Sequence, residues 1–238
     1  MYSRPTLDSV RLERLCRVIQ YRFKNEALLH EALTHRSLGS HNYERLEFLG
    51  DSLLGMIVSR ELYHRHPGVP EGDLSRLRAS LVRGITLAEI ARHMKLGDYL
   101  LMDPGALKSG TFNRDSVLAD VVESLLAAIY LDSGLEACEA AVMRFLGERL
   151  DNLPAVEALK DAKTRLQELL QGNGLPLPEY ALTGSTGKAH ERRFTAQCRV
   201  PSLEVVAEAT HSSRSKAEQA AASVVLEQAA IRALRSKP

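Results

Sequence analysis

The stretch SVLADVVESLLAAIYL, residues 116–131, is apolar nearly all the way round a helix, yet it carries two acids, Asp120 and Glu123, three positions apart. A helix without a polar face has to be buried. A bare carboxylate inside such a helix is costly unless it pairs with a cation or binds a metal ion. No Lys or Arg lies between Asp115 and Leu131 to serve as a local partner. The chain must therefore fold around this segment and bring compensating chemistry to it from elsewhere. Ser124 and Ala127 flank the acids and leave room for a close approach.

From residue 9 to about 150 the apolar positions recur at spacings of three and four, which predicts an all-α domain. Helices are expected over 8–19, 25–33, 41–65, 71–82, 84–94, 115–132 and 135–149, with HPGVP at 66–70 as a clean break. The periodicity stops around Leu153 and Pro154, and a linker is expected over 151–159. A new helix should start under Asp161. Beyond Gly172-Asn173-Gly174 the texture changes to short strands at 180–183, 193–200 and 203–209, with GSTG at 184–187 as the first hairpin turn. An alanine-rich helix from about 214 to 234 closes the chain. The expectation is an all-α domain over 1–150, then a small α+β domain of order α-β-β-β-α over 160–236.

A second group of acids lies in ERLEFLGDSL, residues 44–53. At about 100° per residue, Glu44, Glu47 and Asp51 fall within an arc of roughly 60°, while Leu46, Leu49, Leu53 and Ile57 gather opposite. A solvated polar face is one reading. Against it, Phe48 and Gly55 lie on or beside the acidic face, and no Lys or Arg follows four residues after Glu47 or Asp51. If this helix faces the Asp120/Glu123 helix, the two supply the oxygen-rich cage that hard divalent cations such as Mg²⁺ prefer. Metal-activated water and a cation on the leaving oxygen would then hydrolyse a phosphodiester without a Ser, Cys or His nucleophile. The competing reading is a salt-bridge network between helices, with Arg76 or Arg78 as the cation.

Composition excludes several other classes. With 45% hydrophobic and 26% charged residues the chain has the balance of an ordinary globular protein. Its longest apolar runs, 53–58 and 125–131, fall far short of the roughly 20 residues that span a bilayer. The N-terminal segment lacks an apolar signal core, so no membrane and a cytoplasmic location are expected. Cys16, Cys138 and Cys198 lie far apart and read as reduced, mostly buried thiols. His64 and His66, two apart on a helix, point in different directions and make a poor zinc pair. From Val156 onward there are 12 Lys plus Arg against 9 Asp plus Glu, and before it 19 against 21. This weak asymmetry allows a nucleic-acid surface on the tail.

YERLEFLGDSLL at 43–54 resembles the signature of the ribonuclease III family. ALTHRS at 32–37, EGDLSRLRASLV at 71–82 and LKSG at 107–110 are similar to further parts of its nuclease domain, in the expected order. DAKTRLQELLQ at 161–171 and SSRSKAEQAAA at 212–222 resemble its double-stranded-RNA-binding domain. The resemblance implies the ribonuclease III endonuclease fold followed by that RNA-binding domain. It also implies a homodimer that cleaves double-stranded RNA with Mg²⁺, or Mn²⁺ as a substitute, and with no organic cofactor. The ends left would be 5′-phosphate and 3′-hydroxyl, and the substrates ribosomal RNA precursors and structured messages. The implied metal ligands are Glu47, Asp51, Asp120 and Glu123, with Asp51 and Glu123 catalytic and Glu44 and Glu71 as supporting acids. Ala162 stands where many relatives carry proline, and Ala127-Ala128 where glycines are frequent. Neither departure touches an acid.

A-form RNA is held through phosphates and 2′-hydroxyls across successive minor grooves. Thr164, Gln167 and Glu168 on the first tail helix, Lys188 and His190 in the first hairpin, and Ser213, Arg214 and Lys216 at the start of the last helix are the expected contacts. Free amides and the helix dipole at that last position favour phosphate. Dimerisation is expected through apolar faces of the nuclease helices, and the 116–131 helix is too apolar to leave exposed. The alternatives are a double-stranded-RNA-binding protein that does not cleave, and a helical nucleotide phosphohydrolase, which leaves the tail without a role.

Overall fold

The computed structural model describes residues 7–188, 191–228, 231, 233 and 234, and divides into two compact units, 1–154 and 155–238. Among the described residues no helix is long and apolar enough to cross a membrane.

The first unit is helical. α1 (Ser9–Ile19) and α2 (Glu26–Leu33) begin under Asp8 and Asn25, whose side chains accept backbone amides of the first turn. α3 (Glu44–Arg65) starts three residues later than the hydrophobic period suggested. Asn42 accepts the Glu44 amide at 2.8 Å and donates to the Gly39 carbonyl at 2.9 Å, which holds 39–42 in a turn. α4 (Glu71–Val82) follows Pro70, and the extended Arg83 separates it from α5 (Gly84–His93). α6 (Pro104–Lys108) and the 3-10 turns at Leu96–Tyr99 and Thr111–Asn113 are too short to produce a sequence period and were not expected.

α7 (Asp115–Ser133) is the buried helix demanded by its composition, with eleven fully buried residues. Gly134, at φ 82°, ends it, and α8 (Leu135–Asp151) returns alongside. The Ser124 hydroxyl donates to the Ala32 carbonyl at 2.8 Å, tying α7 to α2.

In the second unit, α9 (Val156–Leu159) is one turn inside the stretch expected to be irregular. α10 (Ala162–Gly172) starts under Asp161, which accepts the Thr164 amide at 2.9 Å. β1 (Glu179–Thr186), β2 (Arg193–Val200) and β3 (Val205–His211) form an antiparallel sheet in the order β1-β2-β3, and α11 (Arg214–Leu226) packs on it. Leu166, Leu170, Cys198, Val200, Ala221 and Val225 centre that core.

The sheet and the last helix differ from the sequence expectation, α11 ending at Leu226 rather than near 234. Residues 184–186 are strand rather than turn, pairing with Thr195, Phe194 and Arg193 after a register shift between Leu182 and Gly184; the chain turns only at Gly187, φ 93°. β3 begins at Val205 because Pro201–Leu203 forms a 3-10 turn. Cys16, Cys138 and Cys198 are free thiols, two of them buried.

Candidate metal centre and nucleic-acid surface

Glu47 projects from α3, and Asp120 and Glu123 from α7. One carboxylate oxygen from each comes within 4.8 Å of the others. The convergence depends on how closely the two helices approach. Gly50, one turn along α3, packs directly on the Glu123 backbone, with no space for a side chain between them.

At the cluster, burial and mutual repulsion work against the charged form of the carboxylates. Burial, then Asp51, Glu47 and Asp120, push the Glu123 carboxyl up to about 8. Glu47 is raised by burial and then by Asp120, Glu44 and Asp51. Asp120 is raised by burial, against the pull of a hydrogen bond from Tyr43 and the charge of Arg36. Among the described residues no Lys, Arg or His ion-pairs with these three acids. Arg76 pairs with Asp73 at 2.7 Å and Arg78 donates to Ser59, which accounts for both arginines of the competing salt-bridge reading. Three partly buried carboxylates that repel one another suit a hard divalent ion, which prefers oxygen donors.

The other expected acids lie further out. Asp51 is exposed and outside the group of three, though it is the leading charge raising Glu123. Glu44 accepts from Asn42 and sits 3.8 Å from Arg36. Glu71, in the first turn of α4, accepts from Ser75 at 2.8 Å.

Tyr43 was missed as a functional residue. It is 2% exposed, and its hydroxyl donates to Asp120 Oδ2 at 3.2 Å, with burial and the Asp120 charge raising its pKa. The only signal in the sequence was its place at the head of the quoted signature.

The tail presents its expected polar residues along α10, at the start of α11 and after β1. Gln167 and Glu168 are exposed on α10 and Thr164 is half-buried; the Glu168 carboxylate is held by Lys160 at 2.7 Å. Ser213 caps α11, accepting the Lys216 amide at 3.3 Å, and Arg214 and Lys216 are exposed beside it. Lys188 is exposed at the end of the first hairpin, whereas His190 lies outside the described residues.

An apolar face of a nuclease helix is open at α3. α7 is already covered within its own unit. Phe48 stands 78% exposed and lines a groove of about 640 Å³ with Leu28, Leu46, Leu49 and Leu131, edged by the charged Glu31, Glu44 and Arg45.

Comparison with known proteins agrees with the two units. Residues 25–150 match the family described as Ribonuclease-III-like, and residues 162–229 match the double-stranded RNA binding motif. Ribonuclease 3 of Shewanella baltica (strain OS155 / ATCC BAA-1091) is 53% identical over 216 residues, covering 91% of this chain and 96% of the relative. Ribonuclease 3 of Vibrio vulnificus (strain YJ016) is 51% identical over 217 residues, with the same coverage. The solved nuclease domain of ribonuclease III from Campylobacter jejuni is 38% identical and superposes with a TM-score of 0.57, over 63% of this chain and 99% of that one. A second structure of that domain, described for flexibility in a region involved in dimer formation, is 40% identical with a TM-score of 0.56, over 58% and 96% of the two chains. With its acid-bearing helices and its α-β-β-β-α tail matched in order, this chain belongs to the ribonuclease III family of endoribonucleases.

Proposed function

We propose that the chain hydrolyses phosphodiester bonds of double-stranded RNA, with Mg²⁺ held by Glu47, Asp120 and Glu123, and leaves 5′-phosphate and 3′-hydroxyl ends. The observation that carries this reading is the meeting of three carboxylates from two helices within 4.8 Å, with no ion-pair partner among the described residues. A bound divalent ion supplies an acidified water and charge stabilisation at the phosphate. The chain's own part is to hold the acids. Gly50 allows the close approach of α3 and α7, and Tyr43 fixes one oxygen of Asp120. Asp51, exposed and outside the group of three, would accept a proton from attacking water. Glu44 and Glu71 take supporting roles toward water or RNA. Mn²⁺, with similar oxygen preferences, would substitute.

The duplex would be gripped by the domain at 160–236, joined through 151–159 to the nuclease domain at 1–150. Thr164 and Gln167 on α10 offer hydrogen bonds to sugars. Arg214 and Lys216 meet phosphate where the α11 amides are free. Two copies would pair through Phe48 and its groove, so that each site cuts one strand. Structured precursors of ribosomal and messenger RNA in the cytoplasm fit such an enzyme.

The deciding experiment is incubation of a long duplex RNA with Mg²⁺ and mapping of the ends. Duplex cut to short products with 5′-phosphates is the expected result. Intact RNA under conditions where the protein demonstrably binds it would leave a binding protein without this activity.

A further inference from the structure

The tail contains a buried acid that neither the metal centre nor the expected RNA contacts use. Glu218 of α11 is 8% exposed, and both its oxygens are engaged. Oε1 accepts from Arg214 Nε at 2.8 Å, and Oε2 accepts from Lys163 Nζ, on α10, at 2.7 Å. The next residue, Gln219, accepts the Lys163 backbone amide at 3.1 Å. Lys163 Nζ also lies 4.2 Å from the centre of the Tyr180 ring, which closes the cluster from the sheet side. Lys163 and then Arg214 hold the Glu218 carboxyl below the usual carboxylate range, so it remains an anion at neutral pH.

We propose that Glu218 is a positioning residue for duplex binding: it clamps α10 to the first turn of α11 and sets the reach of Arg214, so that both helices meet one duplex. The role rests on the RNA-binding reading above. Two features support it. Glu218 engages Arg214 through Nε, while the side chain as a whole remains 63% exposed, which leaves the Nη donors for a phosphate. The two bridged helices are also those that carry Gln167 and Arg214, and their relative placement decides whether one rigid duplex can touch both.

Charge alone predicts the opposite of this role. A carboxylate beside a phosphate-binding arginine weakens the local positive potential, so neutralising it would tighten binding if Glu218 had no positioning effect. The test is the affinity of the full chain, without divalent ions, for an RNA duplex of about 20 base pairs, longer than the roughly 16 that such a domain spans. Glu218→Gln should bind roughly tenfold more weakly, the loss of about one charge-assisted contact. Its dependence of log affinity on log salt should be shallower by about one phosphate contact. Adding Glu218→Gln to Arg214→Ala should cost little more than Arg214→Ala alone, because both remove the same contact.

If Glu218→Gln does not fold, Arg214→Lys serves instead. It keeps the charge but draws it inward toward Glu218, and it should lose most of the same affinity. Failure of the parental chain to bind duplex would remove the RNA-binding reading and this role with it. Parental binding accompanied by equal or tighter binding of Glu218→Gln, or by unchanged binding of Arg214→Lys, would overturn the role alone.

Discussion

Gly50 of α3 lies against the backbone of Glu123 on α7, and a Cβ at that position would sit 1.9 Å from the Glu123 carbonyl oxygen. The obstacle is main chain in the middle of a buried helix, so it cannot swing aside as a side-chain tip could. The glycine thus sets the distance between the helices that bring Glu47 to Asp120 and Glu123.

Gly50→Ala should force α3 and α7 apart. Overpacking of this kind costs roughly 1–3 kcal/mol, and here the displacement falls on the metal cluster itself. The expected outcome is a lowered melting temperature together with weakened divalent-ion binding by calorimetry. Parental ion affinity in a folded Gly50→Ala protein would show that the close approach is not what assembles the cluster.

Tyr43→Phe removes the hydroxyl that donates to Asp120 while keeping the ring in its buried seat. Losing a hydrogen bond that orients a ligand typically weakens metal binding by about 10- to 100-fold. Divalent-ion affinity should fall within or below that range while melting without metal changes little. Unchanged affinity would make Tyr43 a packing residue only.

Much of this arrangement was legible in the residues. The apolar wrap of 116–131 required burial, and its two acids required compensation from elsewhere; Glu47 joins them in a group of carboxylates that could hold a cation. The helical period located the long elements of the first unit to within a few residues, because each buries a repeating stripe. It could not show where α3 begins, since the Asn42 turn is a local polar bond with no period. Nor could it mark Gly50: a helical glycine reads the same whether it faces solvent or another backbone. The first hairpin was misplaced because Gly184 looks like a turn residue, while the sheet absorbs it as a break in register. The tail's clamp was hidden for a related reason, since the bonds of Glu218 cross from one helix to another 55 residues away.

Glu123→Gln separates the chemistry from the fold. The amide keeps the shape and removes the charge that burial, Asp51, Glu47 and Asp120 all oppose. Divalent-ion binding and RNA cleavage should be lost, duplex binding retained, and the metal-free protein should melt higher than the parent near pH 8. Cleavage at the parental rate would remove Glu123 from the ligand set.

Phe48 is 78% exposed, so Phe48→Ala should leave the melting of an isolated copy nearly unchanged. Removing a large aromatic anchor from a pairing surface commonly costs more than about 2 kcal/mol of association, roughly 30-fold in affinity. Sedimentation over a concentration series should show the parental chain as a dimer and Phe48→Ala shifted toward monomer. Identical profiles would place the pairing surface elsewhere.

The raised Glu123 group sets a direction for the pH dependence of stability. Its folded-state value of about 8 lies above the ordinary 4.5, so between those values the folded chain binds more protons than the unfolded one. Stability without metal should therefore fall as pH rises through that window, because folding must hold a carboxylate in a site that resists its charge. A divalent ion reverses the balance by favouring the ionised cluster, and its binding displaces the proton. The rise in melting temperature on adding Mg²⁺ should thus be small near pH 6 and grow as the pH approaches and passes 8. Thermal scans at fixed ionic strength, with and without the ion, measure it directly. A magnesium effect that is flat across this range would mean that the ion binds away from Glu123.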